Sequence, residues 1–209
     1  MSGEFLKAVL LLIAEVLLIV ILYPSDWASS SVHKEREMLH AHFTPKAAKQ
    51  IDDRALHYHD EWFIESGFAD GLFNMFVPSE QQVERSRGME ELGKGWFRLV
   101  ESRIQVMLDM LQQLMIRLSM TWQWWPFVVC LVVPAIFDGY MTRRIKKNNF
   151  DYASPMIHKL AMQSMIWVVI GLPIIYLLPI PLPPWIVPTL LLLAAAATGF
   201  ALGNFYKRI

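Results

Sequence analysis

Apolar and polar residues alternate along this chain in long blocks, and the stretch near its middle carries a clear helical period. Phe5 to Tyr23 is apolar except for Lys7 and Glu15. That run of about 19 residues is long enough to cross a ~30 Å hydrocarbon core as a helix. A cleaved signal peptide is the rival reading. The length of the run and Glu15 inside it favour an uncleaved anchor that ends at Pro24-Ser25-Asp26. A polar stretch follows. Ser31 to His42 reads as a helix, and Thr44-Pro45 opens a second that runs to about Ser66 and stops at Gly67. Phe68 to Pro78 reads as an apolar-rich loop, and Ser79 as the cap of a third, weaker helical stretch. Phe97, Val100, Ile104, Met107, Leu111, Leu114 and Leu118 then recur at spacings of three and four, the seam of a helix packed on another helix.

Beyond that seam the pattern loses its polar face. Trp122, Trp124 and Trp125 suit a membrane interface, and Phe127 to Phe137 is apolar throughout. Leu160 to Leu178 and Trp185 to Phe205 form two more apolar runs. The short turn between them, with Pro179, Pro181, Pro183 and Pro184, leaves room only for an antiparallel hairpin. No strand-like alternation and no internal repeat is present. The pattern predicts an all-α membrane protein with four transmembrane helices and a helical periplasmic domain between the first and second. The segments are transmembrane helix 1 over 1–23, the periplasmic domain over 24–120 with its long amphipathic helix over 96–120, and transmembrane helix 2 over 121–142. A basic cytoplasmic loop over 143–159, a transmembrane hairpin over 160–206 and a cytoplasmic tail over 207–209 complete it.

Composition agrees with this class. The chain has 209 residues, 55% of them hydrophobic and 18% charged, more apolar and less charged than a soluble domain. Its zero net charge conceals a segregation: residues 24–120 carry 11 Lys/Arg against 15 Asp/Glu, and the remainder 8 against 4. Arg143, Arg144, Lys146, Lys147 and Lys159 face one acid, Asp151, in the second connection, while Lys7 marks the N-terminus and Lys207 and Arg208 the C-terminus. Four crossings bring all three basic segments to one side, which the positive-inside rule makes cytoplasmic. Both termini are then cytoplasmic, and the acidic domain lies across the membrane. Cys130 is the only cysteine, so no intrachain disulfide can form.

Candidate chemistry is sparse. Glu15 lies within the first crossing, where a carboxylate is paired, protonated or part of a proton relay. Asp138 lies at the end of the second crossing, where Arg143, Arg144 or another helix can pair with it. His40, His42, His57 and His59 form two His-x-His pairs, but side chains two apart on a helix diverge, so no metal is expected. The basic residues Arg143, Arg144, Lys146 and Lys147 set topology and offer a surface to anionic lipid or a cytosolic partner. Direct nucleic-acid binding is not expected of so short a run. Ala195, Gly199 and Gly203 recur every four residues and mark a close helix–helix approach, in this chain or with a partner. No phosphate loop, zinc-protease helix or serine-hydrolase elbow is present, and neither a cofactor nor an enzymatic activity is expected.

One block points to a family. Trp124-Trp125-Pro126, then Pro134-Ala135-Ile136-Phe137-Asp138-Gly139-Tyr140-Met141-Thr142-Arg143-Arg144, then Phe150 and Tyr152-Ala153-Ser154-Pro155, resembles the TraJ-like membrane proteins of integrating conjugative elements and conjugative plasmids. Those proteins share a Pro…Asp-Gly-Leu-x-x-Arg stretch followed by a basic run, here at Asp138, Gly139, Arg143 and Arg144. They also share one crossing, a loop of about a hundred residues and three further crossings. The resemblance implies a bacterial inner-membrane protein of a conjugative type IV secretion system, set beside the TraD/TraG-type coupling ATPase. The expected function is a non-enzymatic subunit of DNA transfer that assembles with that ATPase or with other conjugation membrane subunits, in contact with lipid and able to self-associate. Two alternatives stand beside it: a small proton-coupled transporter or channel using Glu15 and Asp138, and an envelope sensor or entry-exclusion protein acting through the periplasmic domain.

Overall fold

A computed structural model describes residues 2–76, 90–148 and 155–204. Those residues form eight α-helices and one π-helical segment, with no strand among them. The helices are α1 (Ser2–Leu22), α2 (Ser25–His42), α3 (Pro45–His59), α4 (Phe68–Phe76), α5 (Glu90–Gln123), α6 (Trp125–Asn148), α7 (Pro155–Leu177) and α8 (Ile186–Gly203). The π segment, Asp60–Glu65, continues α3. The chain divides into two units: Met1–Ser119 with Leu177–Pro183, and Met120–Tyr176 with Pro184–Ile209.

In the first unit, Pro24 ends α1 because its ring removes a backbone donor, and α2 restarts at Ser25 at 111° to it. Pro45 occupies the first turn of α3, where the lost N–H costs nothing. Gly67, at φ 75°, reverses the chain after the π segment, a conformation that a Cβ would strain. The core gathers Ile19 of α1, Ala28 of α2, and Val106 and Met110 of α5. Leu39 and, from α3, Ala48, Ile51 and Ala55 are also buried.

Two expectations change here. Residues 68–76 are a helix rather than a loop: Phe68, Leu72, Met75 and Phe76 fall on one face at helical spacing, and Gly71 sits inside the helix without ending it. The α5 seam is also rotated. Ile104 is buried, but Met107, Leu111 and Leu114 are only half-buried and Leu118 is exposed. The interior stripe is Val106, Met110, Gln113 and Arg117. An apolarity count assigns Gln113 and Arg117 to water, whereas a buried carboxylate draws them inward. The expected third helical stretch from Ser79 lies outside the described residues.

In the second unit, three helical stretches are long and apolar enough to cross a membrane: Trp125–Lys146, Lys159–Leu177 and Ile186–Gly203. A fourth candidate arises where α1 and α2 are counted as one bent span. The single non-helical residue between α5 and α6 is Trp124. Pro126 explains the break, since it cannot donate to the carbonyl four residues back and its ring crowds that carbonyl. Helix α6 continues to Asn148, so Arg143 to Lys147 form its last turns and the basic connection is helical at its start.

Helices α6 and α8 pack closely. A Cβ on Gly139 would lie 2.5 Å from the Gly199 carbonyl oxygen, and one on Gly199 would lie 2.8 Å from the Ala135 carbonyl oxygen. Gly203 faces the Thr142 side chain, and Ala195 is buried. Small residues at four-residue spacing on both helices let the backbones touch.

Candidate functional site

The first unit is held by polar side chains of α5 that reach the ends of apolar helices. Arg103 Nη1 donates to the carbonyl oxygens of Val20, Ile21 and Tyr23 at 3.3, 3.0 and 2.8 Å. Those groups lie at the C-terminal end of α1, where the last carbonyls have no partner within the helix. A cation there also meets the negative end of the helix dipole. The Tyr23 hydroxyl in turn donates to the Pro179 carbonyl oxygen at 2.6 Å.

Fourteen residues along α5, about 21 Å at the helical rise, Arg117 repeats the arrangement just after the C-terminus of α7. Its Nη1 donates to the Leu178 carbonyl oxygen at 2.8 Å and its Nη2 to that of Ile180 at 2.6 Å. The same guanidinium meets Glu35 of α2: Nε donates to Oε1 at 2.9 Å and Nη2 to Oε2 at 2.8 Å. Arg117 is 1% exposed and Glu35 0%. Gln113 Nε2 donates to Glu35 Oε2 and, at 3.3 Å, to the Ile180 carbonyl oxygen. The Leu182 N–H points to Glu35 Oε2 at 3.4 Å. Prolines 179, 181, 183 and 184 prevent this turn from satisfying its own carbonyls through helix or sheet, so a fork of arginine donors takes that role.

A second polar group is less complete. Asp109 of α5 and His59 at the end of α3 are both buried, and Asp109 Oδ2 and His59 Nε2 lack a hydrogen-bond partner. Burial pushes the Asp109 carboxyl above its ordinary range, while a hydrogen bond from Gln105 and the proximity of His59 pull it back. His59 Nδ1 lies 3.2 Å from Asp60 Oδ1.

The residues singled out by sequence fall elsewhere. Both carboxylate oxygens of Glu15 are enclosed without a hydrogen-bond partner. Asp138, Arg143 and Arg144 are exposed on α6, and Lys146 Nζ donates to Asn204 Oδ1 at 2.6 Å, tying the ends of α6 and α8. Lys147 lies on the last turn of α6. The histidines do not converge. His40 meets Asp52 at 2.6 Å, His42 meets the Met38 carbonyl, and His57 lies 3.7 Å from Glu61. Among the described residues no group of three or more metal-ligating side chains forms.

Sequence reasoning passed over Glu35, Arg103, Gln113 and Arg117. A signal was present: Arg103, Met110 and Arg117 share a seven-residue spacing, which places two arginines on the interior side of an amphipathic helix.

The arrangement is suited to holding helix ends in register, and it contains neither a nucleophile beside a base nor a phosphate cradle. No curated protein and no solved structure matches the chain. The family model described as IncC plasmid conjugative DNA transfer protein DtrJ-like matches residues 23–207, from the Tyr23 that touches the proline turn to beyond the end of α8. The chain therefore belongs to the DtrJ-like family of conjugative DNA transfer proteins.

Proposed function

We propose that this protein is a non-enzymatic inner-membrane subunit of a conjugative type IV secretion system that assembles with the coupling ATPase. The observation that carries the reading is the exposed basic end of α6. Arg143 and Arg144 project from the last turns of an apolar helix, within a protein of the conjugative transfer class. Exposed guanidinium groups at a membrane boundary suit acidic protein surfaces as well as lipid phosphates.

The helix-end contacts support the proposed topology. Arg103 joins the exit of α1 to α5, and Arg117 joins the exit of α7 to the same helix. With α1, α6, α7 and α8 as crossings, both exits fall on the side of the acidic segment 24–120. The basic connection and both chain ends fall on the other, cytoplasmic side. The polar helices then form a periplasmic domain.

Replacing Arg143, Arg144, Lys146 and Lys147 with glutamate should lower co-purification of the coupling ATPase from cells carrying the whole element. Cysteine accessibility at Ser30 and Arg144 should label opposite faces of the membrane. Undiminished recovery of the ATPase with normal insertion removes the basic segment from the interface, and labelling of both positions from one face overturns the topology.

A second reading rests on Glu15, whose enclosed, unpartnered carboxylate also suits a proton-coupled transporter or channel.

A further inference from the structure

Helix α4 shows its apolar face to solvent. On its nine residues Phe68, Leu72, Met75 and Phe76 lie within one arc, and Met75 is 77% exposed and Phe76 50%. The helix is nonetheless fixed in place. Ala69 is buried, the Phe68 ring meets the edge of Phe63 at 5.8 Å, and Gly71 N–H donates to the Gly67 carbonyl at 2.8 Å. The Ser66 hydroxyl closes the entry by donating to the Trp62 carbonyl at 2.6 Å. The π segment packed on α4 adds exposed Trp62 and Ile64. An ordered, aromatic-rich surface of this kind is what proteins present to partners.

Its charge identifies the partner's chemistry. Residues 60–76 contain four acids, Asp60, Glu61, Glu65 and Asp70, and no lysine or arginine. All four acids are exposed. A surface meant for a bilayer carries lysine and arginine around its apolar face, because phospholipid headgroups are commonly anionic. Acids around aromatics instead select a cationic partner and repel lipid.

We propose that the apolar face of α4 is a docking surface for a basic amphipathic helix of another protein, one with an apolar stripe flanked by lysine or arginine. The apolar stripe covers Phe68, Met75 and Phe76, and the flanking cations meet Glu61 and Glu65 of the π segment packed on α4, while Asp70 lies on the far side of the helix. This surface is separate from the basic end of α6, and the inference holds whether or not the coupling ATPase is the partner.

The test places a photo-cross-linking amino acid at position 75 or 76 of the full-length protein, in cells carrying the whole element. Exposed Val133 on α6 serves as the lipid reference. The expected result is a cross-link whose far end maps to an apolar segment flanked by Lys or Arg. The Glu61→Lys, Glu65→Lys double variant should lower its yield about tenfold, the scale of a like-charge clash at an interface. Cross-linking isolated membranes at low and high salt gives the same reading without substitution, and the yield should fall as salt rises. Cross-links to lipid, to a second copy of this chain, or to a protein segment insensitive to both charge reversal and salt overturn the proposal, as does no cross-link at either position.

Discussion

Arg117 and Glu35, 82 residues apart in the chain, meet through two hydrogen bonds of 2.9 and 2.8 Å with neither side chain reaching water. The guanidinium keeps further donors for the proline turn, so one side chain joins α2, α5 and the exit of α7. The net worth of such a pair is small, because removing two charges from water offsets much of their attraction. Removing one partner is a different matter. Arg117→Ala leaves a buried carboxylate and two bare carbonyls, and should destabilise the first unit by about 3–5 kcal/mol. Glu35→Gln should cost less, because the amide oxygen still accepts from Arg117. The paired Glu35→Leu, Arg117→Met replacement should recover part of the loss. Thermal unfolding in mild detergent checks the order, and a single Arg117→Ala with unchanged melting temperature defeats the account.

The pH response should come in part from Asp109. Burial raises its carboxyl above the ordinary value of 3.8, so the folded protein binds the proton more tightly than the unfolded chain. Stability at this site therefore falls as pH rises from about 3.8 through the raised folded value, and stays reduced above it. At neutral pH burying this acid costs folding stability. Asp109→Asn should raise the melting temperature at pH 7, and the gain should shrink as pH falls toward 4. An advantage that is constant with pH, or a loss at pH 7, contradicts this assignment.

The apolar helices of the second unit were legible in sequence because runs of that length and apolarity form continuous helices long enough to cross a membrane. Pro24, Pro45, Gly67 and the 179–184 prolines marked helix ends for equally local reasons. The interior of the first unit was not legible. Its centre is Gln113 and Arg117, and burying them becomes favourable only once Glu35 and the carbonyls of Leu178 and Ile180 arrive from distant parts of the chain. A reading that ranks positions by apolarity turns α5 toward Leu118, which is exposed. Helix α4 escaped for the converse reason: Gly67, Gly71 and an exposed apolar face read as a loop. The spacing of Ala195, Gly199 and Gly203 announced a close approach, but only the structure shows that Ala135, Gly139 and Thr142 of the same chain meet Gly199 and Gly203.

That approach gives a sharp mutational contrast. A Cβ on Gly199 would press on the Ala135 backbone at 2.8 Å, and backbone cannot swing aside as a flexible side chain can. Gly199→Leu should force α8 from α6 and lower the yield of folded protein in detergent. Gly139→Ala should do so to a lesser degree. Gly171→Ala is the control, because nothing lies within 4 Å of a Cβ there. It should be neutral or slightly stabilising, since alanine is the better helix former. Size-exclusion profiles and melting temperatures of the three variants check the order.

Glu15 decides between the two functional readings. Its carboxylate oxygens are enclosed and lack a hydrogen-bond partner, in a helix whose leucines at 6, 10, 11, 17 and 18 are exposed. A carboxyl group left this way in an apolar helix is costly and persists for a reason. In an assembly subunit the reason is the packing of a neutral polar side chain inside the helix assembly, which glutamine reproduces and leucine does not. In a proton-coupled transporter it is the proton itself. Glu15→Gln keeps the shape and most of the hydrogen bonding but cannot exchange a proton at neutral pH. Glu15→Leu removes both. As an assembly subunit, Glu15→Gln should retain DNA transfer and co-purification, and Glu15→Leu should weaken co-purification. Transfer abolished by Glu15→Gln with co-purification intact would transfer the proposal to the proton-coupled reading. Mating frequency and pull-down, measured together on the same two variants, separate the outcomes because glutamine keeps the size and polarity of a protonated glutamate but cannot release a proton.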